Sequence, residues 1–134
     1  MNRGSLFGVV AAIATSVACG TSSGPVDPVW GKQACDGCKM IIGDRRFAAE
    51  LLAENGERRF FDDVGCMAEY LREHGDKGAA WVHAADGWMD ARGARYATGA
   101  RTPMDYGFSV SASGDQDFRD VMRAVQRKRE EAAR

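Results

Sequence analysis

A chain of 134 residues, 45% of them hydrophobic, is long enough for one compact domain or two very small ones. Its 18 Lys and Arg against 19 Asp and Glu leave a formal charge of −1, so electrostatics give no reason to expect nucleic acid as a partner. Four cysteines and six methionines are the part of the composition that points to chemistry.

The N-terminus carries Arg3 and then the almost uncharged run Leu6 to Val17. That run is too short to span a bilayer with its flanks, and it reads as a secretory signal. Small residues Ser16 and Ala18 lead into Cys19 as in the bacterial lipobox, with Ser16 where such sequences usually carry Leu. The expectation is a lipoprotein signal peptide over residues 1–18 and an acylated Cys19, in which several acyl chains give stable anchoring where one would be marginal. Gly20 in place of Asp after Cys19 points to the outer membrane, with the protein facing the periplasm. Residues 19–33, rich in Gly, Ser and Pro and without period, are expected to be a flexible tether.

Phe47 to Ala53 and Arg58 to Phe61 flank Glu54-Asn55-Gly56-Glu57, and Asn-Gly between apolar runs predicts a β-hairpin. Asp62 or Asp63 then caps a helix to about Glu73, with Val64, Met67 and Leu71 facing the core and Gly75 and Gly78 ending it. Ala79 to Ala84 reads as a strand with Trp81 and His83 on one face and Val82 on the other. Further strands are expected at Trp88 to Ala91, Arg95 to Thr98 and Tyr106 to Ala112. Ser113 to Gln116 looks like a capping box for a helix with Phe118, Val121, Met122 and Val125 on one stripe. Gln126 to Arg134 lacks any large apolar residue, so the end of that helix should emerge into solvent and fray. The fold class is α+β. A first ββαβ unit is expected over residues 34–86 and a second, ββα, over residues 87–134.

The stretch Cys35-Asp36-Gly37-Cys38-Lys39-Met40 puts two thiols and a thioether within six residues. Asp36-Gly37 is turn-forming and can bring the two sulfurs together. If the chain extends from Cys38, Met40 lies about 6.6 Å on and points to the same face. Thioether sulfur adds affinity mainly for soft ions, of which Cu(I) is the common biological case. Three readings of these residues stay open. A thiol–disulfide couple of Cys35 and Cys38 would need its CxxC at a helix N-terminus after a strand. A structural zinc ion would need four ligands, and only Cys66, His74 and His83 remain to supply them. A Cu(I) site needs two or three soft donors. Cys66 can be a third ligand or buried filler, and His83 can ligate through a neutral imidazole or simply pack. No nucleophile–His–Asp pattern, phosphate loop or defined acid–base pair occurs in the sequence, and an enzyme is not expected.

The blocks Cys35-Asp36-Gly37-Cys38-Lys39-Met40-Ile41-Ile42, Phe61-Asp62-Asp63-Val64-Gly65-Cys66-Met67, Trp81-Val82-His83, Met89-Asp90-Ala91 and Thr102-Pro103-Met104, in this order, resemble the NosL family. These are bacterial copper-chaperone lipoproteins associated with nitrous oxide reductase maturation. The resemblance covers residues 34–112 and implies Cu(I) binding, delivery to a copper-dependent client such as nitrous oxide reductase or its assembly factors, and two ββαβ units similar to organomercurial lyase. It implies Cys35, Cys38 and Met40 as the CxxCxM ligands and Met104 as a further donor. Asp105 stands where the family usually has Gly, and the family's last strand has no counterpart after the final helix.

Overall fold

The computed structural model describes residues 22–134; the expected signal peptide, the expected lipidation site Cys19 and residues 20–21 of the expected tether lie outside them. The described residues form β1 (Ala49–Leu52), β2 (Arg58–Phe61), α1 (Val64–His74), β3 (Ala79–Ala84), β4 (Gly87–Asp90), β5 (Tyr96–Ala97), β6 (Ser109–Val110) and α2 (Phe118–Ala132), with a 3₁₀ turn at Arg45–Phe47. The class is the expected mixture of helix and antiparallel sheet. Four strands form one sheet in the order β2-β1-β3-β4, and β5 and β6 form a second of two short strands.

The predicted hairpin is β1–β2, with Gly56 at φ 84° and the Asn55 side chain accepting from the Glu57 N–H at 3.0 Å. β1 starts later than expected because Asp44 caps the Arg45–Phe47 turn and draws Phe47 out of the strand. Ala49 pairs with both Phe61 and Val82, which puts these side chains on one face of the sheet. α1 packs against β1 and β2, burying Val64, Met67, Ala68 and Leu71. Side chains such as Met67 and Leu71 each contribute about 1.5–3 kcal/mol by leaving water. Asp63, one of the two expected caps, accepts from the Gly65 N–H at 2.9 Å, and Gly75 ends the helix in the left-handed conformation at φ 64°.

Three expectations are corrected. Trp88 to Ala91, expected to open a second unit, is β4; Val82 pairs with Met89 and His83 with Trp88, so this strand extends the first sheet. The capping box of α2 is built by Asp117 and Asp120, each accepting from the other's backbone N–H at 3.0 and 2.8 Å. Gln116 is instead bridged to Tyr96, which takes it out of the cap. Residues 22–33 are not a free tether. The Arg58 guanidinium donates to the carbonyls of Ser22 and Gly24 and to the carboxylate of Glu50. Glu50 also accepts from the Val26 N–H at 2.8 Å, and Asp27 accepts from Trp88 Nε1 at 2.8 Å. Trp30 then stacks on Trp88 with ring centroids 6.5 Å apart. The strap covers the face of the sheet that carries Glu50, Arg58 and Trp88, and a Gly/Pro-rich segment can lie there because side chains, not its own propensity, hold it.

α2 packs on α1 through Phe118, Val121 and Val125. It continues to Ala132 instead of fraying, because Lys128 and Arg129 find partners on neighbouring elements. No helix among the described residues is long and apolar enough to cross a membrane.

Candidate metal centre

Cys35 to Lys39 form a tight turn closed by the Cys35 N–H to the Met40 carbonyl at 2.8 Å and the Lys39 N–H to the Cys35 carbonyl at 3.0 Å. Lys39 takes φ 68°, a conformation costly for a side chain other than Gly, Asn or Asp, and it is what brings the chain round. The turn also aims the Cys38 N–H at Cys35 Sγ, 3.4 Å away. Asp36 docks the turn on the free edge of β2, exchanging hydrogen bonds with Phe60 through its backbone N–H and its side chain, both at 2.7 Å. A charged residue thereby closes an edge that would otherwise be open to pairing.

β2 leads directly into Asp62 and Asp63, both buried. Asp63 is committed to capping α1. Asp62 turns to the thiols, with its carboxylate oxygens 3.3 and 3.4 Å from Cys38 Sγ. Cys66, in the first turn of α1, meets the turn from below; a Cβ on Gly37 would stand 3.1 Å from Cys66 Cβ, so glycine is what allows this approach. The ligand atoms of Cys35, Cys38, Cys66 and Asp62 all lie within 4.8 Å of one another. An ion bound at the usual metal–sulfur length of about 2.3 Å would separate tetrahedral ligands by about 3.8 Å, so a small contraction closes the cluster. These four residues could hold a metal ion.

The cluster is electrostatically uneven. Cys35 is held down at about 6, chiefly by the hydrogen bond from the Cys66 thiol and with help from backbone N–H groups, against the opposing effect of burial. Cys38 is pushed up to about 12, mainly by burial. Cys66 is pushed up as well, first because it donates to Cys35 and then because it is buried. At neutral pH the group is one thiolate and two thiols, ready to release protons to an incoming cation.

Cys38 and Cys66 line a cleft of about 560 Å³ whose walls also include Tyr70, His74, Met104 and Arg129. Met104 thus reaches the same cleft as two of the cysteines. Asp105, after it, adopts φ 56°, so the turn keeps the left-handed conformation that Gly would take freely and that Asp tolerates. Met40 is half-exposed and is not part of the cleft wall. The alternation that would have aligned it with Cys38 is broken by the left-handed Lys39. His83 sits edge-on to Trp30 and Trp88, with centroids 5.8 and 5.1 Å away, and faces a different cleft with Arg45 and Phe47. The structure therefore gathers Cys35, Cys38 and Cys66, places Met104 on the wall of the cleft that Cys38 and Cys66 line, and leaves Met40 and His83 apart.

Asp62 is the residue that sequence reasoning passed over as an alternative cap. The usable signal was the Asp62-Asp63 pair itself, since one helix needs only one capping carboxylate.

One wall of the cleft depends on Gly65. A Cβ there would fall 2.0 Å from Tyr106 Cγ, inside the ring that now packs on α1 and donates from its hydroxyl to Glu69 at 2.6 Å. Gly65→Ala is expected to lower stability by about 1–3 kcal/mol through overpacking, as read by urea denaturation.

No protein-family model, curated protein or solved structure matches this chain.

Proposed function

We propose that this protein is a membrane-anchored, periplasm-facing carrier of Cu(I), not an enzyme, and that its cargo is delivered to a copper enzyme. The observation that carries the reading is the convergence of three free thiols, from a tight turn and a helix start, with Cys38 and Cys66 at the wall of an open cleft and Cys35 buried behind them. Three sulfur donors suit a soft monovalent ion, and a site on a cleft suits an ion that must leave again. The resemblance to the NosL family extends this to nitrous oxide reductase, or its assembly factors, as the client. The succession β1-β2-α1-β3 is the element order expected of the first unit and supports the same family reading, although β4 extends its sheet. Acylation of Cys19 would supply the anchor, and Cys19→Ala is expected to release the protein from the membrane fraction.

Zinc is the chief competitor, because three cysteines and a carboxylate also suit a tetrahedral Zn(II) ion. The thiol–disulfide reading is less well supported: Cys35 and Cys38 lie in a turn and not at a helix N-terminus. Titrating the fully reduced protein with Cu(I) and with Zn(II), each against a competing chelator, decides the matter. Preferential capture of Cu(I) supports the carrier. Tighter capture of Zn(II), or insulin reduction without tight copper binding, overturns it.

The pH dependence is a second expected outcome. With Cys35 already ionised above about pH 6, an ion bound by all three sulfurs displaces protons only from Cys38 and Cys66. The logarithm of the apparent affinity should then rise by about two for each pH unit in the range of about pH 7–9, and by about three below pH 6. Competition titrations across pH measure this slope. A slope of one in the upper range would remove either Cys38 or Cys66 from the ligand set.

A further inference from the structure

We propose that Lys128, acting with Asp63, is a positioning residue that holds Met104 at the thiol cleft as a fourth, soft donor. The inference rests on the Cu(I) reading above and adds α2 to the metal site.

Met104 follows Pro103 on an irregular loop, and its three rotatable side-chain bonds do not by themselves fix where the sulfur goes. Its backbone, however, is gripped on both sides. The Met104 N–H donates to Asp63 Oδ2 at 3.1 Å, while Asp63 Oδ1 accepts from the Gly65 N–H at 2.9 Å. One buried carboxylate thus joins the methionine loop to the helix start that carries Cys66. The Met104 carbonyl accepts from Lys128 Nζ at 2.7 Å, and the same ammonium lies 4.4 Å from the centre of the Tyr106 ring. That ring is seated against Gly65.

These contacts add to the intrinsic helix propensity of the Gln, Arg, Lys, Glu and Ala residues at the end of α2. From Gln126 onward it has no large apolar residue, and its side chains are exposed. Lys128 holds the methionine loop, and Arg129 pairs with Glu69 and Glu73 of α1 at the cleft rim. The basic tail is therefore a fastening between α2, α1 and the loop that bears Met104, with no need of an acidic partner or membrane surface to account for it. Outer residues that fix a ligand's position are commonly worth 10–100-fold in metal affinity.

The test uses Lys128→Leu, which keeps an aliphatic side chain, loses the donor and adds no sulfur, together with Lys128→Arg, Met104→Leu and the double variant Lys128→Leu/Met104→Leu. Cu(I) and Zn(II) affinities of each are measured by chelator competition. The expected result is a fall in Cu(I) affinity of about tenfold for Lys128→Leu, with Zn(II) affinity unchanged because a thioether adds little to it. Lys128→Arg should restore copper binding, and the double variant should bind no more weakly than Met104→Leu alone. The proposal is overturned if Lys128→Leu leaves Cu(I) affinity unchanged, if Cu(I) and Zn(II) affinities fall together, or if the losses from the two single substitutions add. A wild-type protein that prefers Cu(I) but is unaffected by Met104→Leu sinks this inference alone. A wild-type protein that prefers Zn(II) sinks the carrier reading and this inference with it.

Discussion

Cys66→Ser is expected to weaken Cu(I) binding by more than about 100-fold, beyond the range seen when only an outer residue is lost. The substitution replaces one of three converging sulfurs by a hard oxygen donor that a soft ion binds poorly. The serine hydroxyl can still donate to the Cys35 thiolate, which the Cys66 thiol now does most to hold down, so the loss reports the missing sulfur. Cys66→Ala is the companion, since it restores an apolar side chain to the buried position. If Cys66 were mere filler, alanine would leave copper affinity within a few-fold of the wild type while serine cost stability. Chelator competition on both variants, alongside urea denaturation of the metal-free proteins, separates a ligand from a packing residue.

Arg58→Ala should be the most damaging single change away from the thiols. Glu50 is fully buried, and its partners are the Arg58 guanidinium and the Val26 N–H. Deleting the arginine leaves a buried carboxylate without its counter-charge and frees the carbonyls of Ser22 and Gly24 that hold the strap. Breaking such a pair costs about 3–5 kcal/mol at neutral pH. The sign of the pH dependence follows from Glu50, whose pKa is already raised by burial against the opposing pull of Val26 and Arg58. The folded state holds that proton more tightly than the unfolded state, so stability falls as pH rises and recovers as it is lowered. The variant should therefore regain stability as the pH is taken from neutral towards 4.5, the ordinary value for this carboxyl. Denaturant titrations at several pH values test this. The apolar pair Glu50→Leu/Arg58→Met is expected to recover much of the loss, because it leaves no orphaned charge, while the strap's contacts through Ser22, Gly24 and Val26 stay lost. A loss unchanged across pH would show that the damage comes from lost packing of the arginine stem.

Much of the site was legible locally. The Asp36-Gly37 turn, the Asn55-Gly56 hairpin and the Asp63 cap each depend on a few consecutive residues, and each forms as its chemistry dictates. Met40 shows where that reading stopped. Its expected direction assumed extended backbone after Cys38, whereas one left-handed residue, Lys39, turns the chain and leaves Met40 half-exposed. Gln116 was misassigned because its pairing with Tyr96 is a long-range bridge with no local mark.

Two spaced thiols in a turn, soft donors nearby, a hairpin and two capped helices follow from the order of residues, because these features are settled by neighbours within a turn or so of chain. The third thiol and the spare carboxylate come together only through docking of Asp36 on β2 and packing of α1, which depend on where distant strands lie. The same holds for the strap over Glu50 and for Met104 at the cleft. In each case a side chain from a remote element satisfies a backbone group, and no local propensity specifies which element that will be.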